Sequence, residues 1–192
     1  MCSRKEQREK RRWEILEAAL ELFIQNGYTE TRISDIAEKA GISMGLMFHY
    51  FGSKQGLYEE LIRIGLEGPA QVIEFDDSDP LRYFETIAGY ILSAIKSSSF
   101  TAKMFVLMVQ AQLTSSVPES VSELLDDDAL VSKSIAVITE GQSLGQIREG
   151  DPLAMVILFW QSISGVALFA AIQPQAPLPE PEWIVEFLRR NK

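Results

Sequence analysis

The sequence predicts an all-α protein, and three observations carry that prediction. Apolar residues recur at intervals of three and four through almost every segment of the 192 residues. No segment alternates apolar and polar residues for long enough to make a strand. Prolines in Asp79-Pro80, Val117-Pro118, Asp151-Pro152 and Glu180-Pro181 stand where a first helical turn tolerates them, and the two aspartates are competent caps. About nine helices are expected, in one small domain joined to one larger one, since the length is short for two large cores.

The first strong helix is expected from about Arg8 to Gln25, with Leu16, Ala19, Leu20 and Phe23 on one face and Asn26-Gly27 as its stop. Three short helices then share its core, at about 33 to 40, 44 to 51 and 54 to 66. Ile33, Ile36, Ala37 and Ala40 mark the first, which Gly41 ends. Ser43 is an N-cap for the second, which runs into Phe48, His49, Tyr50 and Phe51. The third opens at Ser53-Lys54 and carries Leu57, Leu61, Ile64 and Leu66. The stretch from Gly68 to Ser78 is acidic and lacks a clear period, which places the domain boundary there: 1–66 and 67–192. Beyond it, Phe84, Ala88, Ile91 and Ile95 mark one helix, Met104, Leu107, Met108 and Ala111 the next, and Val131, Ile135 and Ile138 a third.

Residues 31 to 54 form a helix, a glycine turn and a second helix too tightly spaced to hold a core of their own. They read as a helix-turn-helix, whose second helix commonly enters the DNA major groove while the first braces against the backbone. A net charge of −9 argues against a nucleic-acid partner until its distribution is considered. Residues 1–66 carry ten Lys and Arg against ten Asp and Glu, so the whole −9 lies in the remainder. Within the first twelve residues Arg4, Lys5, Arg8, Lys10, Arg11 and Arg12 outnumber Glu6 and Glu9, a basic arm suited to phosphates. No apolar leader precedes it, and a cytoplasmic protein is expected.

Gly27-Tyr28, Thr31, Asp35-Ile36-Ala37, Ala40-Gly41-Ile42-Ser43, Gly45, Tyr50-Phe51 and Lys54 together resemble the N-terminal domain of the tetracycline-repressor (TetR) family of bacterial transcription regulators. The resemblance covers roughly residues 8 to 66. It implies a three-helix DNA-binding domain, joined by a fourth helix to a divergent C-terminal helical domain that binds a small effector and dimerises. Carried over by position, Ser43, Met44, Gly45, Leu46, Phe48, His49 and Tyr50 form the groove-facing surface and Lys54 meets a phosphate, while Thr31, Arg32 and Ser34 open the supporting helix near the backbone. The sequence departs from the family at Phe48, where tyrosine is usual, so the hydroxyl that touches phosphate is missing. Met47 and Phe51 already fill the inward face, which leaves Met44 and Leu46 outward.

Enzymatic chemistry has no support. His49 is the only histidine, Cys2 is the only cysteine, and neither a phosphate-binding glycine loop nor a nucleophile motif occurs. Asp126-Asp127-Asp128 reads as an acidic helix start or solvated loop, and no metal or cofactor is expected.

Leu153 to Ile172 is apolar on nearly every face and, at roughly 20 residues, matches the thickness of a bilayer. Gln161, Ser162 and Ser164 at mid-length and the lack of a basic flank argue against insertion. An all-round apolar helix must instead be covered on every side, and a second copy of the chain is one suitable cover. The resemblance places the dimer interface on the last two helices, here this one and Glu180 to Arg190, with Phe159, Ile163, Val166, Phe169, Trp183, Ile184 and Phe187. Tyr83, Phe84, Tyr90, Met104, Phe105, Met108, Trp160 and Ser164 suit a flexible apolar pocket, although core packing explains each of the Met and aromatic residues singly.

The resulting expectation is a homodimeric repressor that binds a palindromic operator through two copies of residues 44–51 and is released by a small apolar or amphipathic molecule. The alternative is a helical small-molecule-binding protein with weak or lost DNA recognition.

Overall fold

The computed structural model describes residues 3–70, 78–114, 116–126 and 129–190. The helices named among them are α1 (Arg4–Glu30), α2 (Ile33–Lys39), α3 (Met44–Phe51), α4 (Lys54–Ala70), α5 (Pro80–Ser97), α6 (Ser99–Leu113), α7 (Glu119–Leu125), α8 (Ala129–Ser143), α9 (Pro152–Ile172) and α10 (Pro181–Val185), followed by one 3-10 turn, Glu186–Leu188. Among the described residues the sole β feature is an isolated antiparallel bridge between Ile147 and Arg189. The chain forms two compact units, Met1–Gly65 with Val106–Asp126 and Leu66–Phe105 with Asp127–Lys192. A division at 66/67 by chain order is therefore corrected in one respect: residues 106–126 pack with the first unit.

In the first unit Ile15, Leu16, Ala19, Leu20 and Phe23 of α1 are buried with Ile36 and Ala37 of α2, Met47 of α3, and Leu57, Tyr58, Leu61 and Ile62 of α4. Helices as short as α2 and α3 are marginal alone in water. Burial supplies what propensity lacks, at about 1.5–3 kcal/mol for each fully buried large apolar side chain. Helix α1 begins four residues earlier than its apolar pattern because Ser3 caps it. The Ser3 hydroxyl accepts from Glu6 N at 3.2 Å, and the Glu6 carboxylate accepts from Ser3 N at 2.7 Å. Gly27 does break it, at φ 77° and ψ 168°, and residues 28–30 add one more turn. Gly41, at φ 63°, closes α2 as its position predicts.

Helix α4 continues past Leu66 to Ala70. Most of the linker predicted at 68–78 lies outside the described residues, as do Cys2, Asp127 and Asp128.

In the second unit α5 buries Tyr83, Phe84, Ile87, Ala88 and Ile91 in a core shared with α8, α9 and α10. The aspartate caps behave as predicted: Asp79 Oδ1 accepts from Arg82 N at 3.2 Å and Asp151 Oδ1 from Ala154 N at 3.1 Å. Pro118 sits at the N-cap of α7 instead of its first turn. The helix expected over Glu180 to Arg190 is shorter, ending in the 3-10 turn. There Arg148 N donates to Leu188 O at 2.9 Å, and Arg189 pairs with Glu85. Helix α9 is long and apolar enough to cross a bilayer by length and composition. One row of it, Val156, Phe159, Ile163, Ala167 and Ala170, is nevertheless buried in this core.

Candidate nucleic-acid interface

Helix α3 is positioned by one inward residue and one cap. Met47 is fully buried, and the Ser43 hydroxyl accepts from Leu46 N at 3.2 Å. With Met47 fixed, helical spacing turns Met44, Leu46 and Phe48 outward. Ser43, Gly45 and His49 are exposed beside them, while Tyr50 and Phe51 are half-buried. Phe48 is 44 % exposed. It therefore belongs to the presented surface and contributes apolar area where a tyrosine hydroxyl is usual. Arg32, at the N-cap of α2, and Ser34 are exposed as well, the Ser34 hydroxyl donating to Asp35 Oδ1 at 2.9 Å.

Two of the predicted contact residues are engaged within the chain instead. Thr31 is 1 % exposed. Its hydroxyl lies 2.7 Å from Gly27 O and 3.1 Å from Leu22 O, serving the end of α1 and not the surface of α2. Lys54 is turned inward too: its ammonium donates to Tyr28 O at 2.8 Å, Thr31 O at 3.0 Å and Thr29 O at 3.1 Å. Three donors on three carbonyls commit the whole group, and it also lies 4.4 Å from the centre of the Tyr28 ring. A cation there complements the carbonyl end of α1.

Aromatic packing stiffens the same corner. Tyr58 meets Tyr28 and Phe23 edge-on at 4.9 and 4.8 Å between ring centres, and burial pushes its hydroxyl up to about 12. On α4, Glu59 Oε1 accepts from the Ser120 hydroxyl of α7 at 2.5 Å and from Gln55 Nε2 at 2.9 Å. Those hydrogen bonds, that from Ser120 foremost, hold the Glu59 carboxyl below its usual range. This polar cluster joins α7 to α4 within the first unit.

Sequence reasoning identified a basic arm but not its placement. The first turns of α1 are helical, and Arg4, Gln7, Arg8, Lys10, Arg11 and Glu14 form one wall of a groove of about 670 Å³ whose other wall is Leu46, His49 and Tyr50 of α3. The Arg8 guanidinium lies 6.0 Å from the Tyr50 ring centre, and Arg12 lies 5.7 Å from that of Phe51 while pairing with Glu60. The spacing of Arg4, Arg8 and Arg11 was a sequence signal for one helical face.

In the second unit the predicted pocket residues do not share one environment. Tyr83, Phe84 and Met104 are buried, with Phe84 at 5.3 Å from Tyr83 and 4.8 Å from Phe159 between ring centres. Phe105, Trp160 and Ser164 are half-buried, and Trp160 Nε1 donates to Ser134 Oγ at 3.4 Å. Tyr90 is a correction, since it is exposed. Met108, half-buried, falls in the first unit.

The predicted dimer residues also divide. Phe159, Ile163 and Ile184 are buried within their own chain and so are unavailable to a partner, a correction set by the register of α9 and α10. Val166 and Phe187 are half-buried, whereas Phe169 and Trp183 are exposed. Ile157, Leu158 and Ile172 of α9, inside the segment the sequence reading singled out but not named singly there, are exposed as well. Among the described residues no group of three His, Cys, Asp or Glu is placed to hold a metal ion.

Residues 15–61 match the family described as bacterial regulatory proteins, tetR family. The HTH-type transcriptional regulator RutR of Escherichia coli K12 is 29 % identical over 160 residues, covering 81 % of this chain and 73 % of RutR. The crystal structure of the TetR family transcriptional regulator PfmR from Thermus thermophilus superimposes with a TM-score of 0.69 at 23 % identity, covering 90 % of this chain and 93 % of PfmR. AibR, crystallised in complex with isovaleryl coenzyme A and operator DNA, gives 0.64 at 18 % identity, covering 92 % and 94 %. The helix-turn-helix that presents α3 is thus shared in sequence as well as in fold, and residues 15–61 carry the match to the tetR family of bacterial regulatory proteins.

Proposed function

We propose that the chain is a transcriptional regulator that binds double-stranded operator DNA as a homodimer through two copies of α3, and that a small apolar or amphipathic molecule releases it. The observation that carries the DNA reading is the exposure of Met44, Leu46 and Phe48 on either side of the buried Met47 that anchors the helix. Apolar ends on such a helix suit thymine methyl groups in the major groove. RutR is a transcriptional regulator, and AibR was crystallised with both an acyl coenzyme A and operator DNA, which supports the same division of labour here. Dimerisation is supported by the outer side of α9, Ile157, Leu158, Phe169 and Ile172, which stays exposed after the inner row is buried.

Binding to a library of genomic DNA fragments from the host tests the first part. Recovery of a palindromic site near the gene is expected, and fragments retained without sequence preference favour the alternative, a small-molecule-binding protein with lost recognition. On the recovered site, Leu46→Ala is expected to lessen the preference for thymine-containing over uracil-substituted DNA. A preference equal to the parent's excludes methyl reading by Leu46.

Release requires that the effector bind the DNA-incompetent state more tightly, by about 1–3 kcal/mol for ordinary coupling. Helix α4 opens beside α3 in sequence and runs from the first unit into the second, which makes it the segment to carry the change. A thermal-shift panel of apolar and amphipathic metabolites identifies ligands, and calorimetry then measures each with and without operator. Reciprocity demands that operator weaken effector binding by the factor by which effector weakens operator binding. Equal effector affinity in both titrations excludes that ligand as the releasing signal.

A further inference from the structure

Helix α3, MGLMFHYF, contains no Lys, Arg, Asp, Glu, Asn or Gln, so the helix that faces the bases brings no fixed charge to the phosphates around them. A DNA interface nevertheless draws most of its sequence-independent affinity from cations that displace counterions. Five of the ten cations of the first unit are already engaged. Lys54 is spent on three carbonyls, Arg12 pairs with Glu60, Lys39 with Glu21 at 2.8 Å, Arg63 with Glu59 at 3.6 Å, and Arg11 with Glu14 at 2.8 Å.

We propose that Arg4 and Arg8, in the first two turns of α1, are the phosphate-binding residues of this interface, gripping the DNA strand that flanks the base pairs facing α3. The inference rests on the DNA-binding reading and relocates its phosphate contacts from α4 to α1. Both side chains are exposed and line the 670 Å³ groove directly opposite Leu46 and His49. They stand four residues apart, about 6 Å along the helix, and so project from one face. Arg8 is further steered by the Tyr50 ring, 6.0 Å from its guanidinium, and Tyr50 itself lines the groove. Guanidinium groups match phosphate oxygens bidentately. A duplex whose major groove receives α3 places a negative strand along this wall, and of the basic residues lining it only Arg11 is paired to a carboxylate among the described residues.

The test measures binding of the full-length protein to a fluorescent random-sequence 30-bp duplex as a function of salt, which requires no knowledge of the operator. Arg4→Gln/Arg8→Gln keeps length and helix propensity, and circular dichroism melting checks that it folds as the parent does. The parent's plot of log Kobs against log salt is expected to be steep, and the double variant's shallower by about 1.8 per protomer, two contacts at about 0.9 each. Lys5→Gln alters charge one residue from Arg4 but outside the groove, and its slope is expected to match the parent's. A double-variant slope equal to the parent's overturns the assignment while leaving DNA binding intact. A per-charge loss from Lys5→Gln as large as that from the double variant overturns it in favour of diffuse charge. Failure of the parent to bind the duplex even at low salt removes the DNA-binding reading and this inference together.

Discussion

Ile157→Glu is expected to convert the dimer to monomers, to weaken operator binding at least about 100-fold, and to leave the melting of the isolated chain nearly unchanged. The reasoning begins with register. The apolar sequence of α9 covers every face, but its inner row of Val156, Phe159, Ile163, Ala167 and Ala170 is consumed by the core of its own unit. Ile157 is 52 % exposed and lies, with Leu158, Phe169 and Ile172, on the side of α9 that the inner row leaves uncovered. A carboxylate buried without a partner in a subunit seam costs about 3–5 kcal/mol, and a twofold axis introduces it from both sides. A monomer seats one α3 and forfeits the second half-site. Sedimentation reads the mass and fluorescence anisotropy the affinity; an unchanged dimer mass removes this face from the interface. Ile163→Glu provides the contrast, since it is fully buried and is expected to prevent folding instead of assembly.

Lys54→Met is expected to destabilise the first unit by about 2–3 kcal/mol, in the range of charge-assisted hydrogen bonds whose acceptors partly regain water, and to leave the salt slope of DNA binding unchanged. Its ammonium, at the first residue of α4, closes the carbonyls of Tyr28, Thr29 and Thr31 at the end of α1. Methionine retains most of the stem but no donor. Lys54→Arg is not a rescue, because a planar fork does not converge on three carbonyls as an ammonium does. Chemical denaturation and a salt titration separate the two roles. A shallower salt slope with unaltered stability restores the phosphate contact that the family resemblance implies and removes the capping role.

The helix-turn-helix was legible because its signals are local. Gly41 and Ser43 bracket α2 and α3 through backbone requirements that act over three or four residues, and the observed bounds, Ile33–Lys39 and Met44–Phe51, lie within a residue of the predicted ones. The inward setting of Met47 and the outward setting of Met44 and Leu46 follow from the same helical period. Asp79 and Asp151 marked helix starts for the same reason.

The sequence by itself determined the all-α class and the position of the presented helix, since caps, glycine stops and a 3.6-residue period need no distant partner to be read, and its motif residues carried the resemblance to the tetR family over the segment that matches it. Tertiary structure alone decided the rest. It set which row of α9 is core, because a helix apolar on every side carries no mark of its inward face. It assigned residues 106–126 to the first unit, where Ser120 meets Glu59 across 61 positions of chain. It turned Lys54 toward carbonyls 23 to 26 residues away and set the basic turns of α1 against α3. A side chain's partner is chosen by proximity in space, and for these groups the fold creates that proximity between segments whose sequences carry no sign of each other.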